Sequence, residues 1–156
     1  MNFHAFGKLL PMLDGIPLTG FAEGDDVISI KRNSDTFGHK VGADGKMTAY
    51  RSSDKSGTVT MKFMQGSEGS KVFDSIFSIQ ASLVAPFVPA VFTLLNTSTG
   101  ESVIAVPGYI KRPADWVRGT NVNDEEWEFV CEDLFIFRTV SSVLGTAIDG
   151  LASIAG

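Results

Sequence analysis

The chain has 156 residues, 44% of them hydrophobic and 20% charged, enough apolar content for one domain with a sizeable core and too much for a disordered segment. Its net charge of -5 excludes nucleic-acid binding by phosphate neutralisation, which needs a basic surface. A single cysteine, Cys131, excludes an internal disulfide, and no run reaches the roughly 18 consecutive apolar residues of a membrane-crossing helix.

Residues 1–24 read as an N-terminal arm. Pro11, Gly15, Pro17 and Gly20 interrupt any regular element. Yet Phe3, Phe6, Leu9, Leu10, Leu13, Ile16 and Phe21 are too apolar to stand in water, so the arm must be covered by its own domain or by a neighbouring subunit. The first residues have no basic stretch followed by a long apolar run, so a secretory leader is not expected.

Three strands follow, at 26–32, 46–51 and 58–64. The last alternates, with Val59, Met61 and Phe63 on one face and Thr58, Thr60 and Lys62 on the other, which means one buried face. A polar loop is expected over 33–45, with a hairpin turn at Ala43-Asp44-Gly45-Lys46, and a second polar loop over 52–57. Residues 67–83 are predicted as the one helix. Ser67 or Ser70 can cap it, and Val72, Phe73, Ile76, Phe77, Ile79 and Leu83 make a single apolar stripe.

Pro86 and Pro89 restart the chain as strand. Residues 90–95 and 102–106 flank the turn-rich Asn96-Thr97-Ser98-Thr99-Gly100, and a short strand is expected over 109–112. Residues 125–138 give the strongest strand signal, with Trp127, Phe129 and Cys131 on one face. The continuous apolar run Leu134-Phe135-Ile136-Phe137 then implies burial on both faces. In the tail, 139–156, Val140, Val143, Leu144, Ala147, Ile148, Leu151 and Ile154 fall at helical spacing. Gly145 and Gly150 weaken an isolated helix by about 1 kcal/mol each, so this segment needs a surface to dock on, its own sheet or another subunit.

The chain is therefore read as one domain, 1–156: an arm over 1–24, a core over 25–138 and a tail over 139–156. The fold class is mainly β, with one flanking α-helix and two packed antiparallel sheets in a sandwich or barrel.

Chemistry finds little purchase in this sequence. His4 and His39 are isolated, with no Cys or Asp at zinc-ligand spacing. Glu126 and Glu128 alternate along a strand and share its solvent face, which suits a solvated or partner-facing surface better than paired catalytic carboxylates. Cys131 alternates with core aromatics and reads as a buried structural thiol. No nucleophile elbow, phosphate loop or dinucleotide fingerprint is present, so neither an enzyme nor a cofactor is expected.

The order of segments resembles a known family. Gly20-Phe21-Ala22-Glu23-Gly24-Asp25-Asp26-Val27-Ile28-Ser29-Ile30 leads to Arg32. Val41-Gly42-Ala43-Asp44-Gly45-Lys46, Gly57-Thr58-Val59-Thr60 and Glu126-Trp127-Glu128-Phe129-Val130-Cys131 follow. This pattern, over about 15–138, resembles the tail tube proteins of contractile-tailed bacteriophages, related to the tubes of type VI secretion. The resemblance implies a non-enzymatic virion protein, made in the host bacterial cytoplasm. It would assemble into hexameric rings that stack into a hollow tube through which DNA passes as cargo. Its partners would be itself and the sheath, baseplate and terminator proteins.

On that reading Asp35, Lys40, Lys46, Arg51 and Lys55 belong to loop contacts with the adjacent ring. Phe3, Phe6, Leu9, Phe21, Val143, Leu144, Ile148 and Leu151 belong to arms buried at subunit contacts. The Gly-rich apolar tail departs from the family pattern. Two other readings fit the same sequence: a different ring-forming tail or baseplate component, and a small β-sandwich binding carbohydrate or peptide through Trp116 or Trp127.

Overall fold

The structure, a computed structural model, describes residues 9–24, 26–84 and 86–138. The expected arm contacts at Phe3 and Phe6, and the tail contacts at Val143, Leu144, Ile148 and Leu151, lie outside the described residues.

The fold is mainly β with one helix. Its elements are β1 (Leu9–Leu13), β2 (Ile16–Pro17), β3 (Ile28–Arg32), β4 (Phe37–Val41), β5 (Met47–Arg51), β6 (Gly57–Met64), α1 (Glu68–Gln80), β7 (Ala90–Asn96), β8 (Ser102–Ile110) and β9 (Asp124–Phe137). They build a large antiparallel sheet of seven strands in the order β2-β1-β7-β8-β9-β6-β3, and a small one, the ribbon β4-β5.

The period-two pattern of β6 becomes an inner face without exposure: Val59, Met61 and Phe63 are fully buried. β9 supplies Trp127, Phe129, Cys131 and Leu134 to the same core, and β7 and β8 add Phe92, Leu94, Val103 and Ala105. The sheet curls until its two ends approach. Leu9 on β1 and Ile28 and Ile30 on β3 line one cavity of about 260 Å³, together with Leu94, Val103 and Ile136. The curl supplies the second packing layer.

The helix covers one end of this core. Ser67, with extended backbone, caps it and accepts from the Ser70 amide. The Phe73 ring lies 5.6 Å from Phe63 and 5.6 Å from Trp127, and the Trp127 indole donates to Ser70 Oγ at 3.0 Å. At the other end Gln80 donates to the carbonyls of Val88 and Gly108 and accepts from the Ile110 amide, which ties the helix to β8. Four of the six residues of the expected stripe are used, since Val72 and Phe77 pack against the core beside Phe73 and Ile76. Phe73 and Ile76 are buried, while Ile79 and Leu83 are exposed, Leu83 because it lies beyond the end of the helix at Gln80.

Three further expectations change. Residues 9–24 of the arm are woven into the fold, since β1 pairs with β7 and turns back through Asp14-Gly15 into β2. The expected strands 102–106 and 109–112 are one element, β8, because Pro107 sits where the pairing with β7 slips by one residue and the missing N–H is tolerated. The polar loop expected over 33–45 contains β4, paired in register with β5. Its Gly38, His39 and Lys40 carry little strand propensity, so the signal was hidden.

Candidate assembly interface

The ribbon stands off the body of the molecule, and every residue of β4 and β5 except Gly38 is exposed. Its turn forms as expected: Gly45 adopts φ +84°, the Gly42 amide donates to the Lys46 carbonyl at 2.8 Å, and the Lys46 amide donates to Asp44 Oδ1 at 3.1 Å. Register assigns the faces. Phe37 opposes Arg51, His39 opposes Ala49 and Val41 opposes Met47, so these six side chains share one face. Phe37, Val41 and Met47 there are 66%, 60% and 64% exposed, with the Arg51 guanidinium 5.9 Å from the Phe37 ring centroid. The other face carries Lys40, Thr48 and Tyr50, with the tyrosine ring lying over Gly38, where a Cβ would collide with it.

An isolated two-stranded ribbon is marginal in water, and this one carries an apolar face with nothing on it among the described residues. Its position is nevertheless fixed by a polar neck. Ser34 Oγ donates to Asp54 Oδ2 at 2.7 Å, the Ser56 amide donates to Asp54 Oδ1 at 2.9 Å, and Thr58 Oγ1 donates to Asn33 Oδ1 at 2.7 Å. The Leu134 amide donates to the Lys55 carbonyl at 2.9 Å, which ties the neck to β9. Hydrogen bonds from Ser56 and Ser34 hold the Asp54 carboxyl down at about 2, below its ordinary 3.8.

The residues expected at loop contacts fall into two groups. Lys40 and Lys46 flank the tip, beside Asp44; Asp35, Arg51 and Lys55 stand at the base. All five are exposed, and none joins an ion pair among the described residues. Sequence reasoning missed the apolar members Phe37, Val41 and Met47. Their signal was the alternation Phe37-x-His39-x-Val41 facing Met47-x-Ala49-x-Arg51, with two of its six positions, His39 and Arg51, polar. Leu9 and Phe21, expected in arm contacts, pack within the chain: Leu9 lies against the core, and the Phe21 ring stacks on Phe63 at 4.7 Å.

Other candidate groups are bland. Glu126 and Glu128 point away from the core, and Glu128 pairs with Lys111 at 3.5 Å. A cleft of about 270 Å³ near them is lined by Arg112, Asp115, Asp124, Glu126 and Glu128. Cys131 is buried, its thiol pushed up by burial and donating to the Gly57 carbonyl at 3.5 Å, an environment that disfavours a thiolate nucleophile. Trp127 is in the core, whereas Trp116 is exposed with the Arg118 guanidinium 4.7 Å from its ring centroid. No described helix is long and apolar enough to cross a membrane.

Among the described residues the large sheet also has an open edge, at β3. The Lys62 amide donates to the Val27 carbonyl, so in antiparallel alternation the backbone groups of Ile28, Ile30 and Arg32 turn away from β6. An unpaired edge of this kind is a template for another strand.

The sequence profile of the bacteriophage PhiTE tail tube protein family matches residues 17–137, and the chain belongs to that family. It is thereby a structural tail component. Solved structures share the fold at low identity. The sheath/tube terminator of the extracellular contractile injection system PVC has a TM-score of 0.61 and 10% identity, over 88% of this chain and 98% of that one. The tube-terminating cap of the anti-feeding prophage has a TM-score of 0.58 and 9% identity, over 89% and 93%. A chain of the PVC sheath–tube complex has a TM-score of 0.57 and 12% identity, over 86% and 91%. No curated protein matches the chain.

Proposed function

We propose that this chain is the repeating subunit of a tail tube. Six copies close into a ring, rings stack into a hollow tube, and DNA passes along the lumen as cargo. Sheath, baseplate and terminator proteins are the other partners, and the assembled tail of the virion is its place of action after synthesis in the host cytoplasm.

The observation that carries this reading is the ribbon: an exposed apolar face on a hairpin held out by a fixed neck. Docked on the adjacent ring, it buries Phe37, Val41 and Met47, and Lys40, Lys46, Arg51 and Lys55 come within reach of acidic groups there. Membership of a tail tube family supports stacking, the open edge of β3 supports sheet joining between neighbours, and the negative net charge suits a conduit that does not hold phosphates.

The test is negative-stain electron microscopy with light scattering on purified protein, beside the triple variant Phe37→Ser, Val41→Ser, Met47→Ser. Hollow tubes from the natural chain and only single rings from the variant are expected. Tubes of undiminished length from the variant would sink the stacking role of the ribbon. The fold shared with two terminators favours one second reading, a closed ring that caps a tube; on that reading the natural chain gives rings and never tubes at any concentration.

A further inference from the structure

The ribbon has a counterpart at the other end of β6. β3 ends at Arg32, opposite Gly57 at the start of β6, and both lead into the ribbon's neck. The far end of β6, Met64, stands opposite Asp124, where the loop 111–123 joins β9. The eight residues of β6 hold these two ends about 23 Å apart, at about 3.3 Å per residue. The loop is fixed in place there. The Gln65 amide donates to the Asn123 carbonyl at 3.1 Å, and the Asn123 side-chain amide donates to the Val117 carbonyl at 3.4 Å.

Loop and ribbon match in chemistry. Trp116, Val117 and Val122 are 77%, 54% and 67% exposed, and no described Phe, Tyr or Trp is more open to solvent than Trp116. The Arg118 guanidinium, 4.7 Å from the Trp116 ring centroid, steadies that ring. Exposed tryptophan and arginine are the residue types on which binding energy concentrates at interfaces. The ribbon answers with Phe37, Val41 and Met47, an apolar face of similar extent. Charge divides the same way. Four carboxylates, Asp115, Asp124, Glu126 and Glu128, line the cleft of about 270 Å³ beside Val117, against one cation, Arg112. Asp115, Asp124 and Glu126 are exposed and join no ion pair among the described residues. The ribbon tip has the opposite balance, with Lys40 and Lys46 on either side of Asp44. Pairs of this kind set orientation and encounter more than affinity.

One chain cannot bring the two surfaces together, because they lie at opposite ends of the same strand. Contact between two different surfaces of identical subunits is heterologous, and at opposite ends it repeats without closing. A stack of rings needs that symmetry, whereas ribbon against ribbon would stop at two rings.

We propose that the ribbon of each chain docks on the loop 111–123 of a copy in the adjacent ring. Phe37, Val41 and Met47 cover Trp116, Val117 and Val122, and Lys40 and Lys46 reach the carboxylates of the cleft. This contact rests on the tube reading and supplies the surface that receives the ribbon.

The test mixes two full-length variants and uses negative-stain electron microscopy with light scattering. The loop variant, Trp116→Ser, Val117→Ser and Val122→Ser, keeps its ribbon. The ribbon variant, Phe37→Ser, Val41→Ser and Met47→Ser, keeps its loop. Circular dichroism checks that both fold, and Asp115→Lys with Glu126→Lys replaces the loop variant if the serine chain does not close rings. Tubes are expected from the natural chain and single rings from each variant alone. Preformed rings of the two variants, once mixed, should stack in twos and go no further, since each pair then presents only an altered ribbon and an altered loop. Tubes of natural length from the loop variant would overturn the proposal and leave the tube reading intact. Variant rings that stay single on mixing would do the same, by placing the ribbon's partner elsewhere. A natural chain that gives rings and never tubes overturns the tube reading itself, and this contact with it.

Discussion

At the scale of single residues, the core depends on one polar contact among rings. Trp127 is 2% and Ser70 5% exposed, and the indole N–H has its partner in Ser70 Oγ. A donor buried without a partner costs about 1–3 kcal/mol, more than the bond itself is worth in net terms. Ser70→Ala should therefore lower the thermal midpoint by an amount equivalent to about 1–3 kcal/mol. The same residue lies at the start of the helix, three positions after its cap, so the loss should appear in thermal melts of unassembled chain. A midpoint unchanged from the natural protein would show that the indole finds another partner.

At the scale of elements, the ribbon is useful only if it points one way, and the Asp54 neck sets that direction. Because hydrogen bonds depress the Asp54 carboxyl to about 2, its contribution is complete above the ordinary carboxylate value of 3.8 and is lost as pH falls through about 2. Proteolysis within 35–56 by an acid-active protease should be slow at pH 4 and speed up towards pH 2, before the core strands yield. Asp54→Ala should be cut readily at both pH values. A ribbon equally resistant in that variant would mean that β4-β5 pairing alone orients it. The apolar side of the same ribbon is exposed among the described residues, so the Phe37, Val41, Met47 triple variant should keep the melting behaviour of the natural chain while losing the proposed stacking.

At the scale of the whole molecule, two kinds of contact are available to an assembling chain: an apolar ribbon face and an open sheet edge beside scattered lysines and arginines. They respond differently to salt. Exposed ion pairs weaken as the Debye length shrinks from about 10 Å at 0.1 M to about 3 Å at 1 M, whereas apolar burial and strand pairing do not. On the proposed tube reading, raising salt across that range should shorten tubes through the loss of the proposed Lys40, Lys46, Arg51 and Lys55 contacts and leave rings intact. Tubes unchanged in length by salt would assign stacking to Phe37, Val41 and Met47 alone.

Local chemistry by itself determined a good part of this protein. Alternation in β6 and the N-terminal half of β9 named the buried face of the sheet, Ser67 and the apolar stripe named the helix, and Asp44-Gly45 named the hairpin turn, because each signal comes from neighbours within a few residues. The order of those segments also carried the resemblance to the tail tube family, to which the chain belongs. The tertiary structure alone decided the rest, because it depended on partners far apart in the chain. β1 reads as a broken apolar arm until β7 supplies its ladder, and β4 reads as loop until β5 stands opposite and turns Phe37, Val41 and Met47 to one side. The pairing of β8 with β7 and β9 carries the strand through Pro107, where local rules predict a stop. The placement of Trp116, Val117 and Val122 at the far end of β6 from the ribbon is likewise invisible along the chain, since it follows from the register of β6 with β3 and β9.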